Sequence, residues 1–205
     1  MSWSRWLPLL LVAAVGCRNE GGPVLVRNSA EYDSLLREVQ EETVEPFRAH
    51  RDEFPLSDAE KQALYDADRK ITGLIEFAPT KYSLHVLRGM ARDALGKGDQ
   101  AIEAFEQALA LAPAEPVGSD RLVLSQVFTN MASISFDQGD FSLSEKYAQE
   151  AVKLAPDDPD ALTNLASAQV ELKETEKAKE NLKRALSVSS DFPRARALLK
   201  LIEQR

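Results

Sequence analysis

Apolar residues recur three and four positions apart along the body of this chain, with polar and charged residues between them. The stretch PDALTNLASAQVELKETEKAKENLKRALSVSS, from residue 159 onwards, shows this spacing. A period near 3.6 residues predicts amphipathic helices that bury one face. Glycines such as Gly96 and Gly139, and prolines such as Pro113 and Pro156, separate the apolar stretches and indicate helix ends.

Two earlier stretches of the same pattern align without a gap, and the stretch from residue 159 follows in phase. They are YSLHVLRGMARDALGKGDQAIEAFEQALALAP from residue 82 and SQVFTNMASISFDQGDFSLSEKYAQEAVKLAP from residue 125. Small residues occupy the eighth, twentieth and twenty-seventh positions of each stretch: Gly89, Ala132 and Ala166, then Ala101, Ser144 and Ala178, then Ala108, Ala151 and Ala185. Antiparallel helices pack closely only where their crossing points carry small side chains. The sequence therefore predicts an array of packed helix pairs.

These small residues, turn glycines and closing prolines recur in the same register. Their pattern resembles the tetratricopeptide repeat, a helix-turn-helix unit of about 34 residues. The resemblance covers residues 82–192, divided into repeats 82–115, 125–158 and 159–192. It implies an all-α fold, namely a short right-handed superhelix (a solenoid of antiparallel helix pairs) closed by a capping helix.

The region before the repeats predicts a divergent helical unit over residues 30–81. An amphipathic helix is expected from about Ala30 to Thr43, and a second helix begins at SDAE, where Ser57 and Glu60 form a capping box.

Two further segments extend the array. The insertion PVGSDRLVL, residues 116–124, is expected to lengthen the helix that follows it, with Ser119 or Asp120 as the N-cap. Residues 193–205 predict a C-terminal capping helix, because Pro193 suits a first helical turn and a terminal repeat needs a wettable outer face.

The chain begins with a different pattern, MSWSRWLPLLLVAAVGCRNEGG. Its uncharged run is shorter than the roughly 20 apolar residues that span a bilayer, and it predicts a signal peptide over residues 1–16. The run ends in Ala14, Val15, Gly16 and Cys17, which resembles the bacterial lipoprotein signal. That resemblance implies cleavage before Cys17, lipid attachment to Cys17, and a polar tether over residues 17–29.

The same residues leave two alternatives for the only cysteine of the chain. An ordinary signal peptidase would cut the same bond and release a secreted protein with a free N-terminal Cys17. A retained Cys17 would instead be a core residue. The lipoprotein resemblance implies a lipid-anchored protein of the bacterial cell envelope, and Arg18 after the cysteine favours the outer membrane, facing the periplasm, in a Gram-negative organism.

Composition excludes several functional classes. A net charge of −8 argues against nucleic-acid binding, which needs clustered Lys and Arg. One cysteine allows no intramolecular disulfide and no thiolate metal cluster. The sequence has no phosphate loop, GxSxG or HExxH motif, and His50 and His85 are expected to be structural. We therefore expect no catalytic residues, no cofactor and no metal, and hence not an enzyme.

By the same resemblance, the first helix of each repeat lines a concave partner groove. The groove residues expected on this basis are Val86, Met90, Asp93, Thr129, Ser133, Phe136, Asp137, Asp160, Thr163, Val170 and Glu171. These positions are apolar or acidic, without Lys or Arg, and so suit a protein or peptide segment with apolar anchors and some basic charge. The alternative is that the acids only solvate an exposed face.

Some relatives of the repeat hold a chaperone's C-terminal carboxylate with two lysines, an arginine and two asparagines. Only Asn130 matches that set, whose other positions hold Val86, Met90, Asp160 and Asn164.

The function expected from these patterns is a membrane-anchored adaptor that binds another protein in the envelope. Pilotin-type lipoproteins, which help secretin rings assemble, and outer-membrane-protein assembly factors carry similar repeats. The rival is a secreted lipoprotein that binds a small ligand or catalyses a reaction. It would need a polar pocket, for which the best place is beneath the insertion, near Asp120 and Arg121.

Overall fold

The computed structural model describes residues 24–51 and 55–204, and all the regular structure in these ranges is helical. Cys17, the expected signal peptide and most of the expected tether lie outside the described residues. The helices are α1 (Ser29–Arg51), α2 (Asp58–Phe77), α3 (Tyr82–Ala94), α4 (Gly98–Leu111), α5 (Gly118–Asp137), α6 (Phe141–Leu154), α7 (Pro159–Glu171), α8 (Thr175–Val188) and α9 (Pro193–Glu203).

Consecutive helices pack as hairpins, and each hairpin packs on the next. The most extensive contacts join α3 to α4, α5 to α6, and α7 to α8, which are the three expected repeats. Helices α1 and α2 form a preceding pair, and α9 covers the far side of α8. The predicted all-α solenoid of helix pairs is therefore confirmed.

The small residues lie where the paired helices approach most closely. A Cβ atom added to Gly89 would meet the Phe105 ring at 2.3 Å, so only glycine fits between α3 and that ring. Ala132 and Ala166, at the same position of the next two pairs, are fully buried. Ser144 is also buried, and its hydroxyl donates to the Ala132 carbonyl across the α5–α6 crossing at 2.8 Å. The small residues therefore mark the helix crossing points, as the sequence predicted.

The hairpin turns use the left-handed backbone region. Gly96 and Gly139 have φ values of 71° and 81°, as turn glycines should. At the corresponding position of the third pair, Lys173 adopts a φ of 66°. The third hairpin thus makes the same turn with a residue for which that conformation is unfavourable.

Helix α1 is longer than the sequence predicted. It continues past Thr43 to Arg51 and contains Pro46, which cannot donate the usual helical hydrogen bond. Phe47 is buried against Leu64 and Ala91, and this packing offsets the interrupted helix. Helix α2 begins as predicted, with the capping box between Ser57 and Glu60 present in both directions.

The insertion lengthens α5, as predicted, but the predicted N-cap is wrong. Helix α5 has 20 residues where α7 has 13, and its N-cap is Val117, whose side chain makes no capping hydrogen bond. Asp120 lies inside the first turn, where its carboxylate accepts a 2.6 Å hydrogen bond from the Tyr82 hydroxyl. A carboxylate expected to cap its own helix instead ties α5 to α3.

Candidate functional site

The expected groove residues lie on α3, α5 and α7, the first helices of the three pairs, and they differ in exposure. Exposed residues are Ser133, Asp137 and Glu171, and partly exposed residues are Val86, Met90, Asp93, Phe136, Asp160 and Val170. The remaining two, Thr129 and Thr163, are buried. We call the nine residues with exposed surface the groove set.

The two threonines are a correction to the expected partner surface. The Thr129 hydroxyl donates to the Ser125 carbonyl at 3.0 Å, and the Thr163 hydroxyl donates to the Pro159 carbonyl at 2.7 Å. Both bonds run back four residues within the same helix, which is the usual way a helical threonine satisfies its hydroxyl. These side chains complete their own helices and present no surface to a partner.

The apolar members of the groove set rest on buried side chains. Val86 and Met90 pack against the cluster that contains Phe105 and Met131. The Phe136 ring meets the ring of Phe141, at the start of α6, edge-on with centroids 5.2 Å apart. Each of these side chains therefore has a supported base and an exposed flank, as an anchor pocket for an apolar residue requires.

The C-terminal end of the groove carries a basic residue that the sequence argument missed. Arg194 of α9 forms an ion pair with Asp160 at 3.3 Å and donates to the Asn164 side-chain oxygen at 2.9 Å. Extending the repeat register by 34 residues from Asp160 leads to Arg194. Treating α9 as the first helix of a fourth repeat would therefore have identified this residue. The acidic character of the groove is reduced at this end.

The two asparagines make internal hydrogen bonds. Asn164 donates to the Thr129 carbonyl at 3.2 Å, which joins α7 to α5. The Asn130 side-chain oxygen accepts from Gln126 at 2.9 Å. Val86 and Met90 occupy two of the other positions that hold the carboxylate in those relatives of the repeat. This groove therefore lacks the set of cationic residues that binds a C-terminal carboxylate.

His85 is buried in α3, where its Nδ1 lies 3.0 Å from the side-chain oxygen of Gln107. Burial lowers its pKa, because a charged imidazole loses hydration there, while the Gln107 contact acts in the opposite direction. A neutral, hydrogen-bonded histidine inside a helix pair fits the structural role expected from the sequence. The side chain of His50 lies outside the described residues.

A cavity of about 690 Å³ opens beneath the insertion, where the rival function was expected. Its lining includes Arg121, Leu122 and Asp158. The Arg121 guanidinium donates to the carbonyls of Lys153 and Leu154, and Asp158 accepts from backbone amides of α7 as its N-cap. Arg121 and Asp158 are thus engaged with helix ends, and Asp157, the third charged residue of the lining, is exposed.

The described residues, 24–51 and 55–204, contain neither a cluster of potential metal ligands nor a membrane-spanning helix. In that part of the chain, no group of three or more His, Cys, Asp or Glu side chains is arranged to hold a metal ion. None of the helices described there combines the length and apolar character needed to cross a bilayer.

Paired helices stacked in register, with a supported surface on successive first helices, define an α-helical repeat solenoid. Two family models for the tetratricopeptide repeat match the chain, over residues 82–115 and 135–202. The chain is a tetratricopeptide repeat protein. A comparison with curated protein sequences finds no match.

Solved structures with the same fold come from different organisms. MamA, residues 41 to the end, from Desulfovibrio magneticus RS-1 is 16% identical with a TM-score of 0.62, covering 82% of this chain and 85% of that one. The first TPR domain of human RPAP3 is 25% identical with a TM-score of 0.53, covering 62% and 92%. The second TPR domain of human RPAP3, in complex with an HSP70 peptide, is 19% identical with a TM-score of 0.52, covering 60% and 99%.

Proposed function

We propose that this chain is a lipid-anchored adaptor of the bacterial cell envelope that holds a segment of a partner protein in its groove. The observation that carries the proposal is the groove set itself. Partly exposed Met90, Phe136 and Val170 lie on successive first helices. Such spacing suits a bound segment that places apolar residues at intervals.

The charge of the groove set indicates what kind of segment would bind. Its ionisable members are the acids Asp93, Asp137, Asp160 and Glu171. The human RPAP3 domain of the same fold is in complex with an HSP70 peptide, SGPTIEEVD, which carries acidic residues. An acidic groove would repel such a peptide and attract one with Lys or Arg beside its apolar anchors. The proposed partner therefore combines apolar and basic residues.

The groove is tested by reversing its charge. The triple variant Asp93→Lys, Asp137→Lys and Glu171→Lys keeps the apolar anchors, and the partner is captured from detergent-solubilised envelope. A matched control reverses three exposed acids on second helices, Glu103→Lys, Glu106→Lys and Glu180→Lys. We expect capture to fall at least tenfold in the groove variant only, since each 1.4 kcal/mol of lost attraction is tenfold in affinity. Equal capture by both variants would remove the groove from the proposal.

The lipid anchor is tested separately at Cys17. Cells expressing the full chain are labelled with a palmitate analogue, and the Cys17→Ser variant serves as the control. Label on the wild-type chain that disappears in the variant supports the anchor. A cleaved, unlabelled protein recovered in the soluble fraction would support plain secretion instead.

The pathway is proposed as assembly of an outer-membrane complex, such as a secretin ring. Identifying the captured partner by mass spectrometry tests this step. A secretin subunit is the expected result, whereas a component of outer-membrane-protein assembly would transfer the adaptor to that process.

A further inference from the structure

Three exposed apolar side chains lie together at the N-terminal end of the solenoid. Val24 and Leu25 precede α1 and are 37% and 69% exposed, and Phe77 in the last turn of α2 is 43% exposed. We call these three residues the N-terminal apolar patch. Apolar side chains that are exposed in one region of a surface often mark an interaction site.

The patch is held in place by close backbone packing. The Val24 backbone crosses α2 at Gly73, where an added Cβ would meet the Val24 carbonyl oxygen at 1.8 Å. Phe77 lies one helical turn beyond Gly73 and contacts the Tyr32 ring, with centroids 5.5 Å apart. Val26 packs onto the buried cluster of the first helix pair. Residues 24–26 are therefore packed against the first helix pair.

The position of the patch along the chain indicates what covers it. Residues 18–23, RNEGGP, are the only residues between Cys17 and Val24. Seven Cα steps of at most about 3.3–3.6 Å allow about 25 Å between Cys17 and the patch, even when the segment is fully extended. A lipid on Cys17 would thus keep the patch within reach of the membrane surface.

The charges around the patch also fit a lipid surface. Exposed Arg27 and Lys81 lie near it in the chain, and so do exposed Glu31 and Glu76. Exposed Asp33 adds a third acid, so charges of both signs lie near the patch in the chain. In an interfacial surface the apolar side chains enter the headgroup and acyl boundary while charged and polar groups stay on the water side.

We propose that the N-terminal apolar patch rests in the lipid interface and fixes the orientation of the solenoid on the membrane. This inference rests on the proposed lipid attachment at Cys17. Two or three acyl chains already hold a protein stably in the membrane. The patch therefore sets the orientation of the solenoid rather than its affinity for the membrane. With the first helix pair against the lipid, the later repeats and α9 extend away from the surface toward a partner.

The experiment uses a tryptophan placed in the patch. Trp3 and Trp6 are the only tryptophans of the sequence, so the chain from Cys17 to Arg205 has none. That chain, which keeps every described residue, is coupled through Cys17 to a maleimide lipid in phosphatidylethanolamine–phosphatidylcholine vesicles. Leu25→Trp reports on the patch. Leu122→Trp, at a side chain that is 64% exposed on α5, is the matched control.

Bromine atoms at shallow acyl positions should quench Leu25→Trp by more than about half, because interfacial apolar groups enter the boundary by about 5–10 Å. Leu122→Trp should stay unquenched. Equal quenching of the two reporters, or none in vesicle-bound protein, would overturn the proposal. Loss of Leu25→Trp quenching when the captured partner binds would also overturn it, because the patch would then be a protein interface.

The chemical coupling keeps this test independent of lipidation in cells. If the palmitate analogue fails to label Cys17 while Leu25→Trp is quenched, the proposed membrane contact of the patch is supported and the proposed lipidation in cells is contradicted. If Cys17 is labelled and Leu25→Trp is not quenched, the proposed lipidation is supported and the proposed membrane contact of the patch is contradicted.

Discussion

The residues at the helix crossing points differ in size, and the smallest of them faces the largest partner. In the first regular pair, Gly89 faces Phe105, which is fully buried. The eighth and twenty-fourth positions of the third pair are Ala166 and Leu182, and both belong to one buried cluster. The second pair has Ala132 and Ala148 at the same two positions, both fully buried, so the smallest crossing-point residue, Gly89, accompanies the largest partner, Phe105.

This matching predicts coupling between Gly89 and Phe105. The Gly89→Ala variant should lose up to about 2 kcal/mol, because overpacking outweighs the better helix propensity of alanine. Phe105→Leu alone should lose about 1–2 kcal/mol through the cavity it leaves. The double variant reproduces the alanine–leucine combination of the third pair, so it should be more stable than the sum of the single losses by at least about 1 kcal/mol. Urea unfolding of the four proteins measures this, and additive losses would contradict it.

The Tyr82–Asp120 hydrogen bond predicts a specific pH dependence. Burial, followed by the contact with Asp120, raises the pKa of Tyr82 to about 12 from its ordinary value of 10.0. A raised folded-state pKa means that the stabilisation is complete below pH 10 and is lost as the pH rises through about 12. Tyr82→Phe should cost about 1 kcal/mol at pH 8. In urea unfolding, the difference between the two proteins should shrink at pH 11; an unchanged difference would contradict the assigned cause.

At the scale of the helix hairpin, the residues at the three turns differ in how easily they adopt the left-handed backbone conformation. Gly96, Gly139 and Lys173 occupy equivalent positions and share a positive φ. A left-handed backbone costs an L-residue about 1–2 kcal/mol, while glycine adopts it freely. The third hairpin therefore turns at a higher local cost than the first two.

Exchanging the turn residues should change stability in opposite directions. Lys173→Gly should stabilise the protein by about 0.5–1 kcal/mol, and Gly139→Lys should destabilise it by about 1 kcal/mol. Lys183→Gly, at an exposed position inside α8, is the control and should destabilise by about 1 kcal/mol. Urea unfolding measures all three. Destabilisation by Lys173→Gly would mean that the lysine side chain stabilises the protein by more than its left-handed backbone conformation costs.

The helices that the sequence predicted well are those whose signals are local. The capping box at Ser57 and the turn glycines depend on neighbouring residues, and the structure contains them. The end of α1 was missed because burial of Phe47 against Leu64 outweighs the helix-breaking tendency of Pro46. The cap of α5 was missed because Asp120 bonds to Tyr82, 38 positions away. Errors arose where a distant contact overrode a local preference.

At the scale of the whole molecule, the register of the repeat located the candidate groove but did not determine which side chains stay exposed. Thr129 and Thr163 occupy groove positions in the register and are buried, on helices α5 and α7 that pack against each other. Arg194 was absent from the expected set because it belongs to the helix after the last repeat. Exposure and charge in a solenoid depend on neighbouring units, and a single repeat does not contain that information.

The capping helix α9 gives the last prediction at this scale. Ala195 and Ile202 of α9 cover the buried cluster that contains Leu162 and Leu182. In a linear array each unit contacts only its neighbours, so stability is the sum of local terms. Ending the chain at Phe192 should therefore remove amide protection from α7 and α8 while leaving α1 to α4 protected.

Hydrogen exchange followed by mass spectrometry resolves these regions. The control is Arg194→Ala, which removes an ion pair whose arginine side chain is 54% exposed and should cost less than about 1 kcal/mol. That variant should keep the protection of α7 and α8, because the apolar contacts of α9 remain. Equal loss of protection throughout the shortened chain would contradict the additive picture. It would mean that the solenoid unfolds as one cooperative unit, with α9 supporting the N-terminal helices as much as its own neighbours.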